Sequence, residues 1–261
     1  MADEIYFFSE SYTHKVDAVA TSVGGSDVAG HPPADAIDYD KESYWENNAA
    51  TPEFKIDTGV GAGAIDSLWF KHDNVELYTL YYSTDDITYV SIADGTAGGG
   101  GGVKWLFVFT EQTARYWKII VTAKIGAGNV KIHEVLLMKH RLTLADPDLP
   151  SMVDVIPEDK VGGGYQMADG SYSSYAGQRV LVDIAIEFQY TPTTNRDNLY
   201  NLYAYDVDGN FSLRSPLVIF PNDVYPEGIY RVLWKDTKFP LTYQISYKVS
   251  GFRGVLNFQE Y

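Results

Sequence analysis

A two-residue rhythm constrains this chain more than any other feature. In its first half, apolar and polar side chains alternate through EFKID (53–57), DSLWFK (66–71), ELYTLYYS (76–83), VKWLFVF (103–109), ARYWKIIVTA (114–123) and NVKIHEVLLM (129–138). Successive side chains of an extended strand point to opposite faces, so this period sends one set into a core and the other to water. Clusters of Gly, Asp, Asn and Pro separate the runs, the spacing expected of a β-sandwich. The 15% aromatic content, with 21 tyrosines, and the 23 glycines favour strands joined by tight turns over helices. An all-β fold is predicted.

The rhythm fails in LADPDLPSMVDVIPEDKVGGG (144–164), where four aspartates, three prolines and a glycine triplet follow one another. Pro and Gly at that density mark a linker. The expected organisation is a β-sandwich over residues 1–140, a linker over 141–164 and a second β-rich domain over 165–261. In the second domain Val180, Val182, Ile184, Ile186 and Phe188 form one buried strand face. Thr194 reads as the N-cap of a short helix that carries Leu199, Leu202 and Tyr203 at helical spacing. SPLVIFP (215–221), GIYRVLWK (228–235), TYQISYKV (242–249) and GVLNFQEY (254–261) supply further strands, giving a small β-barrel or sandwich with one helix. Between strand runs, DVDGN (206–210) reads as an Asp-Gly hairpin turn.

A formal charge of −15 argues against a nucleic-acid phosphate surface and against anionic lipid. It suits a cationic partner or a bound cation, and equally a solvated acidic surface. The absence of cysteine excludes disulfides, thiolate zinc sites and thiol nucleophiles. The N-terminus is acidic where a secretory signal is basic, and no run approaches the ~18 apolar residues of a membrane span. Synthesis in the cytosol, with exit inside a larger assembly or by lysis, is expected. There is no Gly-x-Ser-x-Gly and no His-Glu-x-x-His, and the histidines at 14, 31, 72, 133 and 140 lack metal-ligand spacing. The run Gly98–Gly102 has no Gly-Lys-Ser/Thr after it and reads as a hairpin tip, not a phosphate cradle. A protein without catalytic activity is expected; a glycosidase carboxylate pair is the enzyme class left open, because sequence gives no distances.

The segment DAIDYDKESYWENN (35–48) gathers oxygens. Asp38 and Asp40 with the Ser43 hydroxyl could surround a hard cation such as Ca²⁺. Asp40 with Ser43 is also how a chain caps a short helical turn. Glu134 sits among Val130, Ile132, Leu136 and Met138 on an apolar strand face, so its carboxylate needs a partner: a cation, or a Lys or Arg.

In order, ATS (20–22), ADAIDYDKESYW (34–45), PEFKIDTG (52–59), YTLYYSTDDITY (78–89), ARYWKIIV (114–121) and KIHEVLL (131–137) resemble a discoidin domain. That family, also called coagulation factor 5/8 type C, includes galactose-binding carbohydrate modules. The resemblance spans about 14–140 and implies a jelly-roll sandwich, often with a structural Ca²⁺ beneath its ligand-binding loops. Asp38, Asp40 and Ser43, with backbone carbonyls nearby, match the calcium loop, and Glu134 the acid of the last strand. Trp45 matches a packing tryptophan and Arg115 the arginine of the penultimate strand, both expected in the core. Tyr39 stands where the family usually has glycine, so the turn is expected to avoid the conformation that glycine takes cheaply. Loops at one end of the sandwich would grip a sugar, with His72 and Asn74 of KHDN (71–74) as ligand candidates and His31 behind them. Without hydrophobic spikes on these loops, lipid ranks last.

The second half faintly resembles the β-domains of bacteriophage tail and baseplate proteins. That implies a virion structural protein made in the host cytoplasm, a homo-oligomer whose partners are other tail proteins and a cell-surface glycan, with no nucleic acid and no membrane. A free extracellular carbohydrate-binding protein is the alternative, and a depolymerase component ranks third.

Overall fold

A computed structural model describes residues 4–15, 17–25, 27–40, 42–59, 63–96, 106–144, 152–158, 164–166, 172–174, 181–206, 208–220, 228–245 and 250–260. The chain opens with β1 (Ile5–Ser9) and continues through β2 (Val19–Val23), β3 (Trp45–Asn47), β4 (Glu53–Asp57), β5 (Ala64–Asp73), β6 (Val75–Ser83), β7 (Val90–Thr96), β8 (Leu106–Thr113), β9 (Tyr116–Lys124) and β10 (Val130–Met138). Apart from β1, these strands form an antiparallel sandwich: one sheet runs β2-β4-β9-β6-β7 and the other β3-β10-β5-β8. The alternation predicted from sequence is what builds it. Trp45, Phe54, Ile56, Phe70, Leu80, Trp117, Ile119, Ile132 and Val135 come from both sheets into one buried core. Gly98–Gly102 lies outside the described residues, but the strands flanking it correct the hairpin reading: β7 pairs with β6 and β8 with β5, in different sheets.

Two compact units divide the described chain, and the sandwich is the unit Phe8–His140. The start of β1, up to Phe7, belongs to the other unit together with Arg141–Asp223 and Ile229–Tyr261, so the sandwich unit starts at Phe8 and not at the expected residue 1. That second unit continues with β11 (His140–Leu144), β12 (Met152–Glu158), β13 (Gly164–Gln166), β14 (Tyr172–Ser174), β15 (Leu181–Thr191), α1 (Thr193–Ala204), β16 (Leu217–Phe220), β17 (Tyr230–Trp234), β18 (Thr242–Ile245) and β19 (Ser250–Glu260). Its main sheet runs β11-β1-β16-β17-β19-β15-β12, with β18 also on β19. The segment read as a linker, 141–164, thus contains strands. Pro157 is tolerated because β12 lies at the end of the sheet and, among the described residues, pairs only with β15, so its missing N–H breaks no central ladder.

Ile184, Ile186 and Phe188 are buried as expected, and Val182 packs partly buried against them; Val180 lies outside the described residues. Leu199, Leu202 and Tyr203 of α1 join the same core. The helix starts before the predicted Thr194 cap: extended Pro192 is the N-cap without a side-chain bond, and its carbonyl accepts from Arg196 N at 3.0 Å. The Asp-Gly turn forms, with Asp206 N donating to the Asn210 carbonyl at 2.9 Å and Gly209 at φ 80°.

Candidate functional site

The acidic segment folds as consecutive side-chain-closed turns. Asp38 Oδ1 accepts from Asp40 N at 2.9 Å, and Asp40 Oδ1 accepts from Glu42 N at 3.0 Å. Tyr39 between them takes φ 68°, the left-handed conformation it was expected to avoid. For a residue other than glycine this costs about 1–3 kcal/mol and persists only where the surroundings over-determine it. Here the two turns do so, and the Tyr39 ring lies beside that of His14.

Ser43 Oγ is the centre of the segment. It lies 2.9 Å from the carbonyls of Asp35 and Asp40 and 3.0 Å from both carboxylate oxygens of Asp38. One hydroxyl proton cannot serve four acceptors. Burial, and then the nearby charge of Asp38, raise the Asp35 carboxyl above its ordinary value, with His31 opposing. Among the described residues no three Asp, Glu, His or Cys side chains group to hold a metal by themselves. The oxygens that converge are a carboxylate, two carbonyls and a hydroxyl, a set that fits a hard cation. Asp40 brings its carbonyl to this point, while its carboxylate closes the next turn.

Glu134 has a different neighbour from the ones its sequence position suggested. Its Oε1 lies 2.8 Å from His14 Nε2, with both side chains almost fully buried at 3% and 0% exposure. The strand acid and the acidic segment are therefore linked through the contact of His14 with Tyr39.

The ligand candidates of KHDN part ways. His72 is a strand residue, because β5 runs on to Asp73; it is 6% exposed, and its ring lies 4.7 Å from that of Phe70. Burial pushes its imidazole down to about 4, with Asp73 opposing and His133 adding to the shift. The folded-state value lies below the ordinary 6.5, so the contribution to stability is complete above pH 6.5 and is lost as pH falls toward 4. We expect the urea-unfolding free energy to drop by roughly 3 kcal/mol over that window, and His72→Leu to flatten the drop; equal acid sensitivity in the two proteins would count against it. Asn74 holds the turn after β5: it adopts φ 62°, its Nδ2 donates to the Asn129 carbonyl at 2.9 Å, and its own carbonyl accepts from Ile125 N at 3.1 Å.

His31 lies on a surface cluster. Its ring stacks on Tyr44 at 4.1 Å and 13°, and Tyr44 in turn meets His133 at 5.3 Å. Lys131 Nζ is 4.4 Å from the centre of the Tyr44 ring and 3.9 Å from Glu46 Oε2. Asn129 donates to Glu46 Oε1 at 2.8 Å, and His133 Nε2 lies 3.1 Å from Asp73 Oδ2. Lys131 and His133, both half-buried, flank buried Ile132 on β10, and the register against β5 shifts between Ile132 and Glu134. Sequence reasoning missed Tyr44, Lys131 and His133. The alternation of β10 marked the last two as outward-facing, but nothing local tied them to the turn at Tyr44.

Beneath the cluster, Trp45 is fully buried as expected. Its Nε1 donates to Asp27 Oδ1 at 2.7 Å, where Asn47 Nδ2 also donates at 3.0 Å, and Ser22 Oγ reaches Oδ2 at 2.6 Å. Burial alone would raise the Asp27 carboxyl, but these three donors hold it below its ordinary value. Arg115 is not in the core: its side chain is 42% exposed and grips Asp57 with two bonds of 2.7 and 2.8 Å. A guanidinium beside a carboxylate on the sheet surface keeps its hydration, which burial would remove.

No protein-family model and no curated protein matches the chain. Among solved structures, it is similar to a family 32 carbohydrate-binding module of Clostridium perfringens in complex with galactose, at 17% identity over 51% of this chain and 99% of that one, TM-score 0.42. It is also similar to chitosan-binding module 1 of a Paenibacillus sp. IK-5 chitosanase/glucanase, at 18% identity over 50% and 98%, TM-score 0.42. A third is a C. perfringens module in complex with GalNAc-β-1,3-galactose, at 20% identity over 46% and 94%, TM-score 0.41.

Proposed function

We propose that the sandwich is a glycan-binding module without catalytic activity, and that its contact surface is the His31–Tyr44 stack with Lys131, His133, Asp73 and Glu46. The observation that carries this reading is the ring stack, 13° from parallel, bordered by charged hydrogen-bonding groups. A sugar ring offers an apolar C–H face and a rim of hydroxyls, which match an aromatic plate and fixed polar groups. We infer further that Asp38, Ser43 and the carbonyls of Asp35 and Asp40 hold a structural Ca²⁺. Such an ion would neutralise the oxygens around Ser43 and stiffen the corner from which Tyr44 projects. A place in a virion tail draws no support from the comparisons, and a free carbohydrate-binding protein suits the site at least as well.

A glycan-array screen with and without chelator tests both steps. Saturable binding is expected, with Tyr44→Ala weakening it about tenfold, ~1.4 kcal/mol, at an unchanged melting temperature, and chelation weakening it too. Equal binding by Tyr44→Ala and the wild type, or no glycan bound at all, sinks the surface assignment. Binding and melting unaltered by chelator sink the calcium. Turnover of a bound glycan, abolished by one carboxylate change, would make the protein an enzyme instead.

A further inference from the structure

β7 and β8 are the end strands of opposite sheets, and described residues of both line one opening at the surface. The opening is a slot of about 410 Å³, inside the ~300–1,000 Å³ range of small-molecule pockets. From β8, Phe107 and Phe109 turn inward with rings 5.5 Å apart, while Val108 between them points out. Tyr82 and Ile92 of the other sheet face them across the slot. Phe109 and Tyr82 both rest on fully buried Trp117, at 5.9 and 6.2 Å. Ser91 and Gln112 place a hydroxyl and an amide in the lining, and Gln112 Nε2 donates to the Thr110 carbonyl at 3.1 Å.

Two properties restrict what this slot accepts. Among the described residues no Asp, Glu, Lys or Arg lines it, so a charged ligand would lose its hydration with no counter-charge in return. Most of its exposed lining is polar, with the rings of Tyr82, Phe107 and Phe109 bordering it, and as end strands β7 and β8 each leave one backbone edge facing no further strand among the described residues. We propose that the slot is a second ligand site, separate from the His31–Tyr44 surface, and that it takes an uncharged saccharide unit. The apolar face of the sugar lies against Phe107 and Phe109, and its hydroxyls exchange hydrogen bonds with Ser91, Gln112 and the strand edges.

The test is two-dimensional NMR of the full chain titrated separately with galactose, N-acetylglucosamine, galacturonate and benzyl alcohol. Saturable shifts are expected at Ser91, Phe107, Phe109 and Gln112 with at least one neutral sugar. They should persist in Tyr44→Ala, which keeps this outcome distinct from that of the first site. Gln112→Ala and Ser91→Ala, both at the margin and with melting checked, should each weaken binding at least fivefold. Shifts confined to His31, Tyr44 and His133 overturn the proposal. So do an equal response to galacturonate, a response to benzyl alcohol alone, or no response to either neutral sugar.

Discussion

Trp45→Ala is expected to lower the unfolding free energy by about 3–5 kcal/mol, read as a shift in the urea midpoint at unchanged slope. The indole is fully buried, its ring 5.1 Å from that of Phe54, and truncation leaves a cavity in the sandwich core. Truncation also takes one of three donors from Asp27. Trp45→Phe separates the two effects: it keeps most of the volume and loses the bond, so its cost should be about 1–2 kcal/mol. The folded-state carboxyl of Asp27 lies below its ordinary value, so its contribution is present at neutral pH and lost as pH falls through that depressed value. Trp45→Phe should therefore also be less acid-sensitive than the wild type. A loss under about 1 kcal/mol for Trp45→Ala would mean that the core collapses around the gap, as loosely packed sites do.

What was legible in the sequence was whatever a strand writes into its own neighbours. The alternation gave the sandwich and its inward face, and the crowding of oxygens in DAIDYDKESYW gave the corner around Ser43. Partners distant in sequence leave no such local trace. Asp27 lies 18 residues from Trp45, and β1 pairs into a sheet whose other members begin at residue 140, so neither could be read from a window of ten residues. KHDN follows the DSLWFK run and so reads as a loop, yet β5 continues through it and His72 alternates with Phe70 to a buried position. The proline-rich stretch 144–164 hid β12 because proline excludes a central strand but not an edge one. Tyr39 follows the same pattern: a local preference against positive φ is overruled by two side-chain-closed turns.

Glu134 shows the same boundary between local and distant, and its partner can be tested by a double-mutant cycle. The need for a partner was legible from an acid on an apolar strand face; the identity of His14, 120 residues away, was not. His14→Ala deprives a carboxylate of 3% exposure of the imidazole at 2.8 Å, and about 3–5 kcal/mol of stability should be lost. Glu134→Leu combined with His14→Leu should recover most of that, because an apolar pair of similar volume needs no hydrogen bond in that setting. A coupling energy of about 1–3 kcal/mol across the cycle is the expected reading; additive losses would show that the two side chains act independently. Calcium adds a second discrimination. If the ion sits on Asp38, Ser43 and the two carbonyls while Glu134 stays with His14, it should raise the melting temperature of wild type and His14→Ala alike. Preferential rescue of His14→Ala by calcium would instead transfer Glu134 to the cation, and with it the link between the last strand and the corner that presents Tyr44.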